Sequence, residues 1–540
     1  MQRKSKYVFL IVSLVLLGSI GLVAFLLRVR VDLTADKRYS LHDSFKQVLQ
    51  EVEEPLEVTL FLNGSLNSGF RKLRNAVADL VTEMQVYAPI KYIEGTKEQA
   101  KKLEITPTVI HERQSDGKTV QTTVYPYAAI GYRDRLLCVP LLHNNRTISG
   151  EENLNRSIEM LEFLFAETIH TLQLPDVRKI AFLEGHGELG EKDVYDLTVQ
   201  LAQYFDVDRG VIDKDASVLN AYKTIIVAQP QSKFSERDKF IVDQYIMHGG
   251  SVLWLMDGVR FSSDMLAKDG YTPIIVQDMN LNDMFFRYGV RINNDLVQDM
   301  QCLPVPVDVS QGNAEPNFQP LPWTYAPLLL TSPSCPITRN VMQVKGTFAS
   351  TLNAVGEDDG LAKTLLLCTS SASRITPAPG KVDLADFTSN PSAFKWSYLP
   401  VGVLVEGSFP SFFAHRMLPD SVENMLPLLK QSVETKQIFV ACGSVARNDW
   451  QENMPLPVGY DRYTKMQLGN RDFLVNAVLY LAGDQALIAL RNKVVSLRLI
   501  NDKQAHLQRS TIQIASITLP LLLLLIIGFC FNFVHRKKYI

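Results

Sequence analysis

Lys179-Ile180-Ala181-Phe182-Leu183, running into Glu184-Gly185-His186-Gly187-Glu188, is the stretch whose reading decides the fold. Residues 179–183 form a short apolar run, and the glycine pair behind them marks a sharp turn, so the segment predicts a strand that ends abruptly. A helix at Val194–Tyr204 follows, then a strand at Thr224–Ala228, a helix at Glu236–His248, Gly249-Gly250, and a strand at Ser251–Met256. Strands alternating with helices of this length predict βαβ units and a parallel sheet. Gly249 stands where a helix C-cap wants positive φ. Asn280–Tyr288 reads as a further helix, and sheet-forming segments return at Lys363–Cys368, Val401–Val405 and Gln437–Ala441. The larger domain is therefore placed at 176–485, α/β, with a mostly parallel Rossmann- or flavodoxin-like sheet. It closes with a helix at Asp472–Leu481, before Gly483.

The turn after the first strand is the main candidate site, because ligands of such sheets bind beyond the carboxyl ends of the strands. Glu184, His186 and Glu188 offer two carboxylates and an imidazole, groups able to shuttle a proton or hold a metal. One histidine with flanking glutamates is not a recognised metal spacing, and neither a metal nor a cofactor is assigned. A structural reading stands beside the binding one. Gly185 and Gly187 suit a tight strand-to-helix turn, and Glu188 and Glu191 suit a helix N-terminus. On that reading His186 is a partly exposed turn residue whose loss is mild, and the glycines matter more. The chain has no GxSxG elbow, no HExxH and no GxxxxGK[ST], so no catalytic residue is named and no ATP is bound through a P-loop.

Upstream, a smaller α/β domain is expected over 31–175. It holds a helix through Leu49 with Ser40 as N-cap, a strand at Leu56–Leu62, a helix at Phe70–Tyr87 and a strand at Ile90–Ile93. Strands around Gln121–Tyr132 and Arg135–Leu141 complete it, and an amphipathic helix at Arg156–Leu174 is stopped by Pro175. The order is thioredoxin-like, but without CxxC a redox role has no support. Inside the larger domain, prolines crowd 302–336 (Pro304, Pro306, Pro316, Pro320, Pro322, Pro327, Pro333 and Pro336), predicting an extended, loop-rich insertion. Trp323 and Tyr325 in it are placed to dock on a neighbour or to pack on their own domain.

Two uncharged segments, Tyr7 to Leu27 and Ile512 to Val534, are long enough to cross a membrane as helices. The first suits an uncleaved anchor better than a signal peptide: its apolar run exceeds the usual ~7–15 residues and no small-x-small site closes it. Arg3, Lys4 and Lys6 precede the first span, and Arg536, Lys537 and Lys538 follow the second. Basic tails put both termini in the cytoplasm and the region between in the periplasm, although Arg28, Arg30, Lys37 and Arg38 lie just beyond the first span. The expected layout is thus an inner-membrane protein anchored at both ends: 1–30 anchor, 31–175 and 176–485 domains, a membrane-proximal stretch over 486–511, and 512–540 helix and tail. Arg491, Lys493 and Arg498 among apolar residues of Ile488–Ile500 suit either an amphipathic stalk or a solvated face.

The chain has 540 residues and a net charge of -2, which leaves no basic footprint for nucleic acid. Six cysteines are scattered without a CxxC pair, and Cys530 lies in the second span. Their spacing allows a Cys302–Cys335 bridge without demanding it. Two single spans cannot line a transport path, so in a transporter other chains supply the pore and the ATPase.

Several motifs carry a resemblance. Asp32-Leu33-Thr34 with Arg38-Tyr39-Ser40-Leu41 resembles the start of the auxiliary proteins of an ABC transport system, and Leu183 to Glu188 is similar to their strand-turn motif. Pro322-Trp323-Thr324-Tyr325-Ala326-Pro327-Leu328, Val405-Glu406-Gly407-Ser408-Phe409, Leu456-Pro457-Val458-Gly459-Tyr460-Asp461-Arg462 and Gly469-Asn470-Arg471-Asp472-Phe473-Leu474-Val475-Asn476-Ala477 resemble the Bacteroidetes branch, the gliding-motility-associated G component (GldG). The resemblance implies a non-enzymatic accessory, substrate-binding subunit that partners an ABC permease and ATPase at the membrane. The alternative is a membrane-anchored periplasmic enzyme or a solute-binding module using the Glu184–Glu188 turn. One departure is the late strand, which in that family runs into Asp-Gly-Asp; here it runs into Ala441-Cys442-Gly443-Ser444.

Overall fold

The computed structural model describes residues 41–491 except 65, 104, 114–118, 143–149, 175–177, 309, 311–316, 357–359, 385–390, 421 and 424–426, together with isolated residues between 516 and 528. The expected span 7–27 and most of 512–534 lie outside the described residues. Among those described, no helix is long and apolar enough to cross a membrane. Met1–Lys493 and Val494–Ile540 are separate compact units. In the second, the described positions, such as Ser516, Pro520 and Leu525, are helical.

The first unit begins with helix α1 (Asp43–Gln50), strand β1 (Leu56–Leu60), helix α2 (Ser68–Met84), strand β2 (Ile90–Glu94) and helix α3 (Lys97–Lys102). Helix α1 is capped by His42, whose Nδ1 accepts from Ser44 N at 3.3 Å; Ser40, the expected cap, lies outside the described residues. Strands β3 (Thr108–Arg113) and β4 (Thr119–Val124) form a separate hairpin, and β5 (Tyr127–Tyr132) and β6 (Arg135–Pro140) complete a sheet of order β2-β1-β5-β6. The stretch 121–132, read as one strand, is thus two, broken at Tyr125-Pro126. Proline fixes φ and lacks a ladder donor, so the chain leaves one sheet there and enters another.

Helix α4 (Gly150–Gln173) leads to the main sheet, built from β7 (Lys179–Glu184), β8 (Asp206–Val211), β9 (Thr224–Ala228), β10 (Ser251–Leu255), β11 (Cys302–Asp308), β12 (Phe318–Thr331), β13 (Ala362–Cys368), β14 (Pro400–Gly407) and β15 (Thr435–Val440). Their order is β11-β12-β13-β14-β15-β10-β9-β7-β8, with Val344–Lys345 as a tenth strand on β12. The β15-β10-β9-β7-β8 half is parallel and the β11 to β14 half joins antiparallel. The sheet is therefore mixed rather than mostly parallel.

Side-chain alternation explains the layers. Ile180, Phe182, Ile226, Leu253 and Ile438 point into one core, shared with helices α5 (Tyr195–Leu201), α7 (Asn470–Leu481) and α8 (Gln485–Arg491). Ala181, Leu183, Ile225, Val252, Trp254 and Phe439 point into another, under helix α6 (Glu236–Met247). The first core is continuous with the N-terminal sheet: Leu56, Val58 and Leu60 belong to it, joined through Leu161, Phe165 and Ile169 of α4.

Two expectations are corrected. The proline-rich stretch is a strand pair, β11 and β12, not a loop-rich insertion; Pro304 faces Pro322 and Pro306 faces Pro320. Proline is tolerated because β11 is the sheet edge and the register slips at Cys302/Pro304. Trp323 and Tyr325 are buried within their own domain. The start of the 486–511 stretch is neither stalk nor solvated face: Leu487 and Ile488 of α8 are buried in the first core, and Arg491 donates to Asn476 Oδ1 at 2.7 Å and Tyr204 Oη at 3.0 Å. Residues 492–511 lie outside the described residues. Cys138, Cys302, Cys335, Cys368 and Cys442 are free thiols, so Cys302 and Cys335 are not bridged.

Candidate functional site

Strand β7 ends at Glu184 and the chain turns through Gly185 at φ +111° and Gly187 at φ +75°. Those left-handed values are open to glycine at little cost. A Cβ on Gly185 would stand 2.9 Å from Val211 Cγ1, and one on Gly187 3.2 Å from Gln231 Cβ. Between them His186 is 6% exposed, which corrects the expectation of a partly exposed side chain. Its carbonyl accepts from Gln231 N and Ser232 N, both at 2.8 Å, tying the turn to the loop after β9.

The imidazole is held on three sides. Nδ1 lies 3.1 Å from Glu188 Oε1 and Nε2 lies 3.3 Å from Asp238 Oδ2. The ring stacks on Phe234 at 3.7 Å between centroids and 6° between planes. Carboxylates only accept, so both ring nitrogens must donate, and the ring is an imidazolium. Burial opposes that charge, but Asp238 and Glu188 outweigh it and push the pKa up to about 9. Burial likewise opposes the charge of Asp238, while bonds from His186, Ser235 and Arg237 hold it down at about 2. Asp238 is placed by α6: Ser235 caps that helix by accepting from Asp238 N at 3.1 Å, and its hydroxyl donates to Asp238 Oδ2 at 2.6 Å. A doubly donating imidazolium has no lone pair for a metal and no basic nitrogen for proton abstraction.

Of the three candidates, His186 and Glu188 come together and Glu184 does not join them. Glu184 Oε1 accepts from Arg209 Nε of β8 at 2.7 Å. Asp238, 52 positions from His186, takes the place expected of it. Among the described residues no group of His, Cys, Asp and Glu is arranged to hold a metal.

The turn borders a cavity of about 430 Å³ at the carboxyl ends of the parallel strands. Gly187 and Glu188 reach it from β7, Gln229 from β9, Asp257 from β10, and Ser444 and Arg447 from β15. Its other wall is aromatic and apolar, with Phe261, Trp323, Phe348 and Leu303. Phe348 packs edge-on to Trp323 at 5.3 Å and lies 4.0 Å from Phe261. Asp257 organises the strand ends: Oδ1 accepts from Gly443 N and Oδ2 from Gln229 Nε2, both at 2.7 Å. Burial pushes its carboxyl above the usual range. The Ala441–Ser444 turn thus receives its carboxylate from the neighbouring strand end. Gln229 has φ +54°, an uncommon value for a residue with a side chain, and a Cβ on Gly443 would fall 2.5 Å from Gln229 Cγ. These residues escaped the sequence reading because they follow separate strands and share no local motif.

Residues 177–477 match the family described as "ABC-type uncharacterized transport system", and residues 35–131 match a domain of unknown function, DUF7088. No curated protein matches the chain. A solved structure described as "mmIFT52 N-terminal domain" is similar at 14% identity over 56% of this chain and 96% of that one, with a TM-score of 0.33, too low to carry an argument. The first match spans more than half of the sequence and includes the β7 turn, the Asp257 site and the first two turns of α7. The chain belongs to the auxiliary family of ABC-type transport systems.

Proposed function

We propose that this protein is a non-enzymatic, substrate-recognising accessory subunit, anchored in the inner membrane by 7–27 and 512–534, with the region between in the periplasm. An ABC permease and an ATPase are its partners. The observation that carries the recognition role is the cavity at the carboxyl ends of four parallel strands, the place where open α/β sheets take ligands. The clamped state of His186 supports a non-catalytic reading of the turn, since the group offered for acid-base or metal chemistry is committed to Glu188 and Asp238. Family membership supports a role in an ABC-type system.

The finer placements belong to the same proposal. The order β2-β1-β5-β6, with β1 and β2 parallel, supports a thioredoxin-like reading of the N-terminal sheet. The order β10-β9-β7-β8 supports a flavodoxin-like reading of the parallel half. The motifs at 322–328, 456–462 and 469–477 support a place in the GldG-like branch, without implying gliding. Affinity purification of the full chain from mild detergent tests the proposal. A permease and an ATPase should elute with it. Elution alone, with turnover of a substrate by the pure chain, would favour the enzyme reading. Protease added to intact spheroplasts should digest the central region; digestion only after lysis would reverse the orientation.

A further inference from the structure

The cavity has one wall of aromatic rings and a rim of charged side chains, and the rim is not evenly committed. Its carboxylates are engaged. Both oxygens of Glu188 serve His186, and both oxygens of Asp257 serve Gly443 and Gln229. Asp461 accepts from Thr464 N and Oγ1 and lies 3.8 Å from Lys345. Asp449 lies 3.7 Å from the same lysine, and Asp193 accepts from Gly190 N at 3.2 Å. The arginines are loosely held. The Arg260 guanidinium, exposed on the rim, has no hydrogen-bond or ion-pair partner among the described residues. Among the described residues Arg462 donates only to the hydroxyl of its neighbour Tyr463, at 3.0 Å. Arg447 reaches Gln229 Oε1 at 3.3 Å and Asp193 at 3.9 Å. Trp323 adds a buried indole N–H without an acceptor among the described residues.

By number the lining is balanced, with four cations against five carboxylates. The balance shifts in chemistry: Glu188 is paired with His186, and both oxygens of Asp257 are taken up by Gly443 N and Gln229 Nε2. What remains unsatisfied is a set of donors, and guanidinium forks match the paired oxygens of carboxylates and phosphates.

We infer that this cavity takes a small organic anion, a carboxylate or phosphate monoester on an aromatic or apolar body, with Arg260 and Arg462 holding the anion and the Trp323–Phe348–Phe261 wall holding the body. The inference rests on the recognition role proposed above and names the ligand class for it. A balanced, fully paired rim would instead have suited a neutral ligand. Arg447 remains with Gln229, positioning that carboxamide at the strand ends.

Isothermal titration of the full-length chain in detergent tests this with 1-naphthoate, 1-naphthyl phosphate and uncharged 1-naphthalenemethanol. At least one anion should bind about tenfold more tightly than the alcohol, and weaken as salt is raised. Which of the two binds distinguishes a carboxylate from a phosphate ligand. Arg260→Gln with Arg462→Gln, both at exposed positions, should remove that preference by about tenfold without changing thermal stability. Equal binding of the alcohol and both anions would overturn the anionic class and leave the recognition role standing. Anion binding that survives the double substitution would overturn the assignment to these arginines. If none of the three probes binds at millimolar concentration, the ligand class and the cavity's recognition role fall together, while co-purification with a permease remains a separate question.

Discussion

His186 Nε2 sits 3.3 Å from Asp238 Oδ2, joining the turn after the first parallel strand to the first turn of the helix that covers the sheet. With Glu188 on the other nitrogen, the imidazolium becomes a strut between two buried carboxylates. Its side chain is 7% exposed, beside 2% for Glu188 and 10% for Asp238. Charges so placed are costly unless paired.

Removing the strut should therefore be damaging. His186→Ala leaves the Glu188 carboxylate without its cation and Asp238 with Arg237 alone, and is expected to cost about 3–5 kcal/mol. Denaturant unfolding of wild type and variant measures it. A loss of about 0.5 kcal/mol or less, the ordinary value for an exposed position, would place the imidazole outside the fold's support.

The same pair sets a pH dependence. The His186 pKa rises from 6.5 to about 9 on folding, so its contribution is full below 6.5 and disappears as pH climbs through 9. The Asp238 pKa falls from 3.8 to about 2, so its contribution is present above 3.8 and disappears as pH drops through 2. The stability difference between wild type and His186→Gln should be largest between about pH 4 and 6.5 and shrink toward pH 9. A difference that grows over that upper range would contradict the pairing.

The glycines answer to shape instead of charge. Gly185→Val would bring a Cβ to 2.9 Å from Val211 at φ +111°, for an expected loss of about 1–3 kcal/mol at any pH. Gly443→Ala would push Gln229 off Asp257 and should weaken ligand binding at the cavity before it unfolds the sheet. Thermal unfolding beside calorimetric titration separates the two effects.

Thiol labelling reads the packing independently. Cys138 is exposed, whereas Cys335 and Cys442 are buried and burial pushes the Cys442 thiol up to about 12. Because the thiolate is the reactive form, a maleimide at neutral pH should modify Cys138 promptly and Cys442 only in denaturant. Rapid labelling of Cys442 in the folded chain would mean that the end of β15 is open.

The alternation of Ile180, Ala181, Phe182 and Leu183 between two cores was legible as an apolar strand, and the two glycines as a turn. Partners distant in sequence were not legible. Asp238 reads as an ordinary helix-start acid, and only the fold of β9 and α6 onto β7 brings it to His186. Asp257 and Gly443 follow different strands, 186 positions apart. Composition misled once: prolines at 304, 306, 320 and 322 suggested loop, yet an edge strand and its neighbour can carry them where ladder bonds are not required. The covering face of α8 was hidden as well, because Arg491 looks like a solvated charge until Tyr204 and Asn476 surround it.

The clamped imidazolium of His186, committed to Glu188 and Asp238 beside the cavity, is the centre of this site. Histidine side-chain NMR on the full-length chain, assigned by the loss of one signal in His186→Gln, measures this directly. His186 is expected to stay doubly protonated through neutral pH and to titrate near 9. Titration near 6.5 or below, the behaviour of a free or catalytic imidazole, would contradict it.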